Sequence, residues 1–331
     1  MTTPSTSAIR RALVTGGAGF IGSHVVEALV ARRVEVTVAD NLSTGHMENL
    51  DAVAGQILYE TLDIARDDID PLLGSGAFDT IIHAAGNAHI PSSIDDPGRD
   101  LEDNIVSTHN LLAAVRRVSP HSRVVNISSA TVYGEGSGVP INEDEPTRPV
   151  SPYGVSKLAA ELYVALYARL FGLRTCTVRL FSVFGPRLRK QVIWDFMNKL
   201  AANPHELVIL GDGGERRDLN HVRNVVHAIL LVAERSPLTG DVFNVAARES
   251  VSIDEAARSL SAAMGIAPIF RHTGEQQAGN ARSWQADISR IEALGYRPEM
   301  GYQDGLADTV AWFRRLQSHQ RPGGLTTGMT G

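Results

Sequence analysis

Cysteine is almost absent from this chain, which has a single one, Cys176, among its 331 residues. One thiol can form neither an internal disulfide nor a thiolate metal cluster, so the sequence indicates a reducing, cytoplasmic environment and no metal site. Long apolar runs are missing too. No segment approaches the ~20 apolar residues that span a bilayer, and the polar start MTTPSTSAIRR lacks the apolar core of a signal peptide. We therefore expect no membrane association.

An excess of basic charge is also lacking. The formal net charge is -6 at pH 7, which excludes a global positive field of the kind that attracts nucleic acid or anionic membrane surfaces. Any anionic ligand must therefore be bound by a local site. The hydrophobic share of 43% is that of an ordinary globular protein with a large core.

The chain alternates between short, β-branched apolar runs and helical patterns. This alternation predicts a Rossmann-type, doubly wound α/β sheet of parallel strands. The apolar runs are residues 12–15, 34–39, 57–59, 80–83, 123–127 and 175–180, with shorter ones at 207–210 and 242–245. Helices are predicted at 20–31, 98–118, 152–171, 191–202, 221–235, 252–264 and 303–317.

The pattern changes after Gly185, where strands become short and widely separated. We therefore predict an NAD-binding Rossmann domain over residues 8–185, to which later segments can return. A smaller α/β substrate domain is predicted over 186–317, followed by a disordered tail over 318–331.

A glycine-rich turn lies between the first strand and the first helix. Residues 15–22 (TGGAGFIG) place Gly16, Gly19 and Gly22 three apart. Glycine suits this turn because a side chain would keep the backbone away from a pyrophosphate, whose charge is met by amide groups at the helix N-terminus. Asp40 ends the second strand about 20 residues on, where a carboxylate accepts the ribose hydroxyls and repels a 2′-phosphate. The pattern favours NAD over NADP.

A serine-rich strand end and a Tyr/Lys pair follow. Residues 128–134 (SSATVYG) close the fifth strand, and residues 151–157 (SPYGVSK) open a helix. Tyr153 and Lys157 are four apart, so they share one helix face. A phenol with an ordinary pKa near 10 is a poor base, but a neighbouring ammonium and a cationic nicotinamide stabilise its phenolate. The pair is therefore a candidate catalytic base with its helper.

Further motifs occur in the same order along the chain. Asp63-Ile64 follows the third strand, residues 83–86 (HAAG) end the fourth, and Asn104 lies in the next helix. Together with the glycine turn and the Tyr/Lys pair, they resemble the extended short-chain dehydrogenase/reductase superfamily and its NAD-dependent epimerase/dehydratase family, over about residues 10–317. The cofactor residues implied are Gly16, Gly19, Phe20, Ile21, Gly22, Asp40, Asn41, Asp63, Ile64, Ala84, Ala85, Asn104, Tyr153 and Lys157.

The resemblance extends to a nucleotide-sugar site. Residues 179–187 (RLFSVFGPR) and 211–218 (GDGGERRD) resemble two substrate segments of the family. The second resemblance implies that Arg217 binds the nucleotide diphosphate, for which a permanently charged guanidinium is suited. By the same resemblance Ser129 hydrogen-bonds the reacting oxygen. The substrate contacts implied are Ser128, Ser129, Thr131, Tyr153, Ser182, Arg187, Arg217 and Arg282.

Two alternatives stay open near the C-terminus. Either Arg271 or Arg282 supplies a late phosphate contact, and either Ser283 or Trp284 gates the group at C2 of the sugar. A serine there would admit an N-acetyl group, whereas a tryptophan would oppose it. After Gly185, one of Arg187, Arg189 and Lys190 is expected to touch phosphate.

The resemblance implies a nucleotide-sugar 4-epimerase that works through a transient 4-keto sugar with Tyr153 as base. Ala130-Thr131 stands where sugar dehydratases carry an Asp-Glu pair and where decarboxylases carry a glutamate. Alternatives are a 4-reductase or oxidase, a dehydratase or decarboxylase of the same family, or a non-catalytic NAD-binding sensor or scaffold. A homodimer through a four-helix bundle is also expected, with an apolar seam of Leu111, Leu112, Val115, Leu158, Leu162, Leu166 and Leu170.

Overall fold

A seven-stranded parallel sheet forms the centre of the fold. The computed structural model describes residues 8–136, 140–275 and 283–320, without the side chains of 319 and 320. The strand order is β10-β6-β5-β4-β1-β2-β3, and every neighbouring pair is parallel. The strands are β1 (Arg11–Thr15), β2 (Glu35–Asp40), β3 (Ile57–Thr61), β4 (Thr80–His83), β5 (Arg123–Ser129), β6 (Arg174–Leu180) and β10 (Thr239–Val245).

The strand order reverses direction between β1 and β4. In open α/β sheets this switch point opens a crevice at the carboxyl ends of the strands, where ligands bind. The strands are apolar on both faces because helices cover both sides, and the buried side chains form two large clusters, one on each face. The doubly wound Rossmann-type fold is thereby confirmed.

The helices largely follow the predicted pattern, and those at Phe20–Ala31, Pro152–Phe171 and Gln191–Ala202 have the predicted bounds. The predicted helix over 98–118 is helical throughout, from Pro97 to Val118, and it contains a π-helical turn, Glu102–Val106, around Asn104. The helices are α1 (Phe20–Ala31), α2 (Asp70–Gly76), α3 (Ile90–Asp95), α4 (Pro97–Leu101), α5 (Ser107–Val118), α6 (Pro152–Phe171), α7 (Gln191–Ala202), α8 (Val222–Arg235), α9 (Ile253–Met264), α10 (Ser289–Glu292) and α11 (Tyr302–Gln320).

The later part of the chain forms two small sheets over a third apolar cluster, which includes side chains of α7, α9 and α11. One sheet has the order β11-β9-β7 and the other pairs β12 with β8. Their strands are β7 (Ser182–Phe184), β8 (Glu206–Ile209), β9 (Arg216–His221), β11 (Ser250–Ser252) and β12 (Ile269–His272). The run at 242–245 does not join these sheets, because β10 returns to the main sheet beside β6. The division at residue 185 stays a prediction.

Two expectations about surfaces and ends need revision. Leu111, Leu112 and Val115 cannot form a dimer seam, since all three are fully buried beneath the main sheet. Leu162 and Leu170 remain exposed, at 63% and 59%. The last helix runs to Gln320, into the predicted tail, and residues 321–331 lie outside the described part. No helix within the described ranges is long and apolar enough to cross a bilayer.

Candidate active site

The glycine turn after β1 brings backbone against backbone. Gly16 has φ of 67°, and a Cβ there would lie 2.6 Å from the Ala85 amide nitrogen. A Cβ on Gly22 would lie 2.1 Å from the Gly16 carbonyl oxygen. Both positions therefore require glycine, because the obstructing atoms belong to the backbone. The turn positions Phe20 and Ile21 as the first residues of α1.

Asp40 ends β2 beside this turn. Its carboxylate accepts hydrogen bonds from the Ala18 amide at 2.9 Å and the Leu42 amide at 2.8 Å. Burial raises the pKa of Asp40, and these two amide bonds oppose the rise. Asn41 follows in an exposed turn, where its side chain accepts from the Ser43 amide. A fixed carboxylate at this strand end is suited to the ribose hydroxyls.

The remaining predicted cofactor residues surround the crevice. Ile64 is buried, and Asp63 caps the turn after β3 by accepting from the Ala65 amide at 3.0 Å. Ala84 follows β4 directly beside Gly16, where its amide donates to the Thr15 carbonyl at 3.0 Å. His83 itself is a core residue, held between the hydroxyls of Thr15 and Thr108.

The described residues fit a dinucleotide. At the N-terminus of α1, Gly19 has extended backbone and no side chain caps the helix, so its first amides are available to a pyrophosphate. The Asn104 Oδ1 atom is buried and accepts no hydrogen bond from any described residue, and it lies 2.4 Å from where a Cβ on Gly86 would stand. A buried amide oxygen without a partner is costly unless a ligand or water satisfies it.

The catalytic candidates meet at the end of β5. Tyr153 lies in the first turn of α6, and its amide donates to the Ser93 hydroxyl at 3.1 Å. The Ser129 hydroxyl is within hydrogen-bonding reach of the Tyr153 phenol. Lys157 lies one helical turn further along α6. The sequence therefore identified three side chains that the fold does bring to one place.

Burial is the main influence of the protein on the pKa values of Tyr153 and Lys157. It raises the pKa of Tyr153 to about 12, a rise that the Ser129 hydrogen bond opposes and the charge of Asp100 increases. Burial lowers the pKa of Lys157 to about 8, while the charges of Asp100 and Glu161 act to raise it. The expected net lowering of the Tyr153 pKa is therefore absent without a further positive charge, and a cationic nicotinamide would supply one.

An ion pair behind the catalytic helix was not foreseen. Glu161, one turn beyond Lys157, accepts from Arg179 at 3.1, 3.1 and 2.7 Å. Arg179 also donates to the Tyr133 hydroxyl at 2.8 Å, and Ser128 donates to Glu161. Ser128 is thus held inside the protein by Glu161 rather than presented to a substrate. The spacing of Tyr153, Lys157 and Glu161 at four and eight residues was the available signal.

Trp284 lies between Arg217 and the backbone at Gly134. The guanidinium of Arg217 lies 5.2 Å from the ring centroid of Trp284, and burial lowers the pKa of Arg217. The Trp284 indole donates to the Gly134 carbonyl at 3.1 Å. Ser283 forms a β-bridge with Arg216 instead. Trp284, not Ser283, therefore connects Arg217 with the backbone at Gly134.

Two further predicted substrate residues are Ser182 and Thr131. Ser182 begins β7, which pairs with β9 and so lies beside the strand of Arg217. Thr131 is buried, and its hydroxyl makes no hydrogen bond within the described part of the chain. Arg282 lies outside the described residues. Arg271, the alternative to it, is exposed and pairs with Glu206 at 2.9 Å on the surface, so it is not placed for a phosphate.

The basic cluster after Gly185 separates into different roles. Arg187 forms an ion pair with Glu27 and a hydrogen bond with Ser23, both on α1, so its guanidinium is already engaged by the helix that follows the glycine turn. Arg189 forms an ion pair with Glu48. Lys190 donates to the Ala88 carbonyl at 2.8 Å, and burial lowers the pKa of Lys190 to about 8.

The fold and this site together define a class of protein. A dinucleotide crevice with a Ser–Tyr–Lys group at the strand ends is that of an extended short-chain dehydrogenase/reductase. A model of the NAD dependent epimerase/dehydratase family matches residues 12–246. The chain belongs to that family, and its cofactor is NAD. Among described residues, no group of three or more His, Cys, Asp or Glu side chains is placed to hold a metal.

The proteins to which this chain is similar are named for more than one activity. UDP-glucose 4-epimerase of Mycolicibacterium smegmatis is 33% identical over 311 residues, which are 92% of this chain and 98% of that protein. The dTDP-glucose 4,6-dehydratase of Streptomyces griseus is 32% identical over 319 residues, 94% and 96% of the two chains. The crystal structure of Thermotoga maritima UDP-glucose 4-epimerase with UDP-glucose aligns with a TM-score of 0.85 at 30% identity, covering 93% and 99%.

Asp40 offers a test of cofactor choice. Asp40→Asn is expected to weaken NAD binding about tenfold, because a charged acceptor for the ribose hydroxyls is lost, and to narrow the preference for NAD over NADP. Calorimetric titration with each cofactor measures both effects. Glu35→Gln is the matched control, since Glu35 lies at the other, exposed end of β2. Unchanged NAD affinity together with undiminished rejection of NADP would show that Asp40 does not select the cofactor.

Proposed function

We propose that this protein is an NAD-dependent nucleotide-sugar 4-epimerase. The observation that carries the proposal is the meeting of Ser129, Tyr153 and Lys157 at a strand end whose next two residues, Ala130 and Thr131, supply no acid or base. In such a site the sugar C4 hydroxyl is oxidised and then reduced from the opposite face. NAD supplies the chemistry of taking up the hydride and returning it.

The protein's own groups handle the proton. Tyr153 removes the proton from the C4 hydroxyl. It returns the proton after the 4-keto sugar has rotated in the cleft to present its opposite face. Ser129 orients the reacting oxygen through its hydroxyl. Lys157, as an ammonium, offsets the negative charge that develops on the phenol. The buried position of this group keeps bulk water away from the keto sugar.

The carboxylates near the site support epimerisation over elimination. Ala130 and Thr131 occupy the two positions after Ser129, and neither can serve as a carboxylic acid. Glu161 is paired with Arg179. Asp100 accepts three hydrogen bonds behind α6. No described carboxylate close to the catalytic group is therefore left to protonate a leaving hydroxyl, which favours the epimerase over the dehydratase alternative.

The substrate class is inferred from Arg217, Lys190 and Trp284. Arg217 is a fixed cation suited to a diphosphate, and Lys190 is a second, partly buried cation on the loop that follows Gly185. We infer that Trp284 is the residue facing the C2 group, since it bridges Arg217 and the backbone at Gly134, five residues after Ser129. A side chain of this size opposes an N-acetyl group, so a nucleotide hexose with a free C2 hydroxyl is the preferred substrate.

The test is incubation of purified, NAD-loaded protein with UDP- and dTDP-linked glucose, galactose and their N-acetyl forms. C4 stereochemistry is followed by NMR and free NADH by absorbance. Interconversion of a 4-epimer pair without net NADH supports the proposal, and preference for the C2-hydroxyl sugars supports the role of Trp284. Accumulation of NADH with a keto product would instead show that the protein is an oxidase. Loss of water from the sugar would show that it is a dehydratase. Bound NAD with no conversion would favour a sensor or scaffold.

A second copy of the chain is the proposed partner. Val155, Leu162 and Leu170 are exposed at 52%, 63% and 59% along α6, and the groove beside them is lined by Leu166 and Ala165. Their spacing places them on one helix face. This face is suited to the four-helix packing expected from the sequence.

Substitutions on that face of α6 are expected to change the mass of the protein's assembly in solution. Leu162→Glu combined with Leu170→Glu is expected to convert a dimer into a monomer, because two charges would be buried in the interface. Size-exclusion chromatography with light scattering measures the mass. Leu58→Glu is the control, since Leu58 is 69% exposed on edge strand β3, far from α6 in the sheet order. A monomeric wild-type protein, or a dimeric double variant, would contradict the interface.

A further inference from the structure

A buried carboxylate lies behind the catalytic helix. Asp100, on α4, is 1% exposed. Its Oδ1 atom accepts from Asn87 at 2.8 Å and from Asn104 at 3.1 Å, and its Oδ2 atom accepts from the Ser156 hydroxyl at 2.6 Å. All three donors are neutral. The cluster therefore fixes the carboxylate in place while leaving its charge uncompensated by a direct partner.

Ser156 connects this carboxylate to the catalytic pair. It lies between Tyr153 and Lys157 in α6, and its hydroxyl is also 3.0 Å from the Tyr153 carbonyl oxygen. Asn104 completes the connection, because its amide nitrogen is 3.0 Å from the Ser156 hydroxyl. The π-helical turn between α4 and α5 contains Asn104. This turn and the buried carboxylate are thus parts of one arrangement.

The other charged groups that face the pair are already balanced. Glu161 is held by Arg179 in a buried pair, with their side chains 4% and 7% exposed. Arg99, next to Asp100, is directed to Asp103 at 3.5 Å. Burial lowers the pKa of His83 to about 3, so His83 is neutral. Among the described groups around the pair, Asp100 is therefore the carboxylate whose charge acts on Lys157 without a neighbouring cation pairing with it.

We propose that Asp100 is a positioning residue of the epimerase reaction proposed above, whose charge keeps Lys157 as an ammonium beside Tyr153. Burial lowers the pKa of Lys157 and so favours the neutral amine. The charges of Asp100 and Glu161 oppose this, and Asp100 makes the larger contribution. The same charge disfavours the Tyr153 phenolate. Removing it must therefore shift the titrations of both Lys157 and Tyr153 to lower pH.

The chain makes the Lys157 titration directly measurable, since it contains only three lysines, Lys157, Lys190 and Lys199. NMR of lysine-labelled, NAD-loaded protein follows each side chain against pH, in a Lys190→Arg background that removes the other buried lysine. Asp100→Asn is expected to lower the Lys157 midpoint by about one pH unit. Asparagine has the same shape, and its amide can donate to the Ser156 hydroxyl while its oxygen accepts from Asn87 and Asn104.

Ser156→Ala is the matched control. It removes the strongest hydrogen bond to Asp100 but leaves the charge, so the Lys157 midpoint should stay in place even if stability falls. Asp100→Ser provides a second neutral substitution in case the asparagine variant does not fold. An unmoved midpoint in both Asp100 variants, or an equal shift in Ser156→Ala, would overturn the proposal and leave Asp100 a purely structural residue.

Kinetics give an independent reading where turnover is found. The basic limb of the kcat/KM profile should move to lower pH in Asp100→Asn, following Lys157, and the acidic limb should move the same way with Tyr153. A structural defect alone would lower the whole profile without moving it. The NMR titration needs no substrate, so a failed epimerase proposal is distinguishable from a failed role for Asp100.

Discussion

Tyr153→Phe is expected to lower epimerase turnover by a factor of about 10²–10⁴, the usual contribution of a positioned acid/base group. The substitution deletes one hydroxyl from a side chain that is 8% exposed, so the ring continues to fill the same space. Ser129 and Lys157 alone cannot take the proton from a sugar hydroxyl, because a serine hydroxyl is too weak a base and the lysine is protonated below its pKa of about 8. Turnover is measured as the rate of C4 interconversion.

The NAD affinity of the same variant separates chemistry from binding. Tyr153 is one of the implied cofactor contacts, but the glycine turn, Asp40 and Lys157 are untouched, so NAD affinity should change far less than turnover. Tyr163→Phe is the matched control, because Tyr163 lies on the same helix at 38% exposure, and it should leave turnover unchanged. Near-wild-type turnover in Tyr153→Phe, or an equal loss in both variants, would remove Tyr153 from the proposed role.

The cofactor half of the site was predictable because its signals are local. The glycine turn, Asp40 and the Tyr153–Lys157 spacing each express a backbone requirement or a helix periodicity within a few residues of chain. The parallel sheet follows from the alternation of apolar runs and helices. The return of β10 to the main sheet was not visible in the same way, because strand order depends on which surfaces the whole fold leaves uncovered.

The substrate half was less predictable because charge pairing is a tertiary property. Arg187 is followed by a further basic pair, and nothing in that segment shows that Glu27, on the cofactor helix, lies within reach of it. Ser128 and Ser129 are neighbours in sequence, yet the first is bound to Glu161 and the second contacts Tyr153. Asp100 and Ser156 are likewise brought together across 56 residues.

The π-helical turn at 102–106 shows a related limit. The apolar pattern through this region predicts a helix, and the chain is helical there, but nothing in the turn, which has no proline or glycine, shows that it is wider than its neighbours. Asn104 is the buried residue of the turn, and it contacts Asp100 and Ser156. The wider turn therefore accompanies buried polar contacts that only the folded chain assembles.

Arg179→Met is expected to lower the free energy of unfolding by about 3–5 kcal/mol, since it leaves Glu161 as a buried carboxylate without its cation. Tyr133 would lose the hydrogen bond that Arg179 donates to its hydroxyl at the same time. Urea unfolding with linear extrapolation measures the change. Arg11→Met is the surface control, because Arg11 pairs with Glu35 at 2.7 Å but both side chains are exposed, and such pairs contribute about 0–1 kcal/mol.

The double variant Arg179→Met with Glu161→Gln decides what the loss means. If the cost arises from the unpaired charge, removing Glu161's charge as well should recover a substantial part of the stability, as replacement of buried pairs by neutral groups commonly does. If the double variant is as unstable as the single one, packing of the guanidinium on the Tyr133 ring, at 4.8 Å, is the larger contribution. A loss below about 1 kcal/mol in Arg179→Met would contradict both explanations, because it lies in the range of exposed pairs.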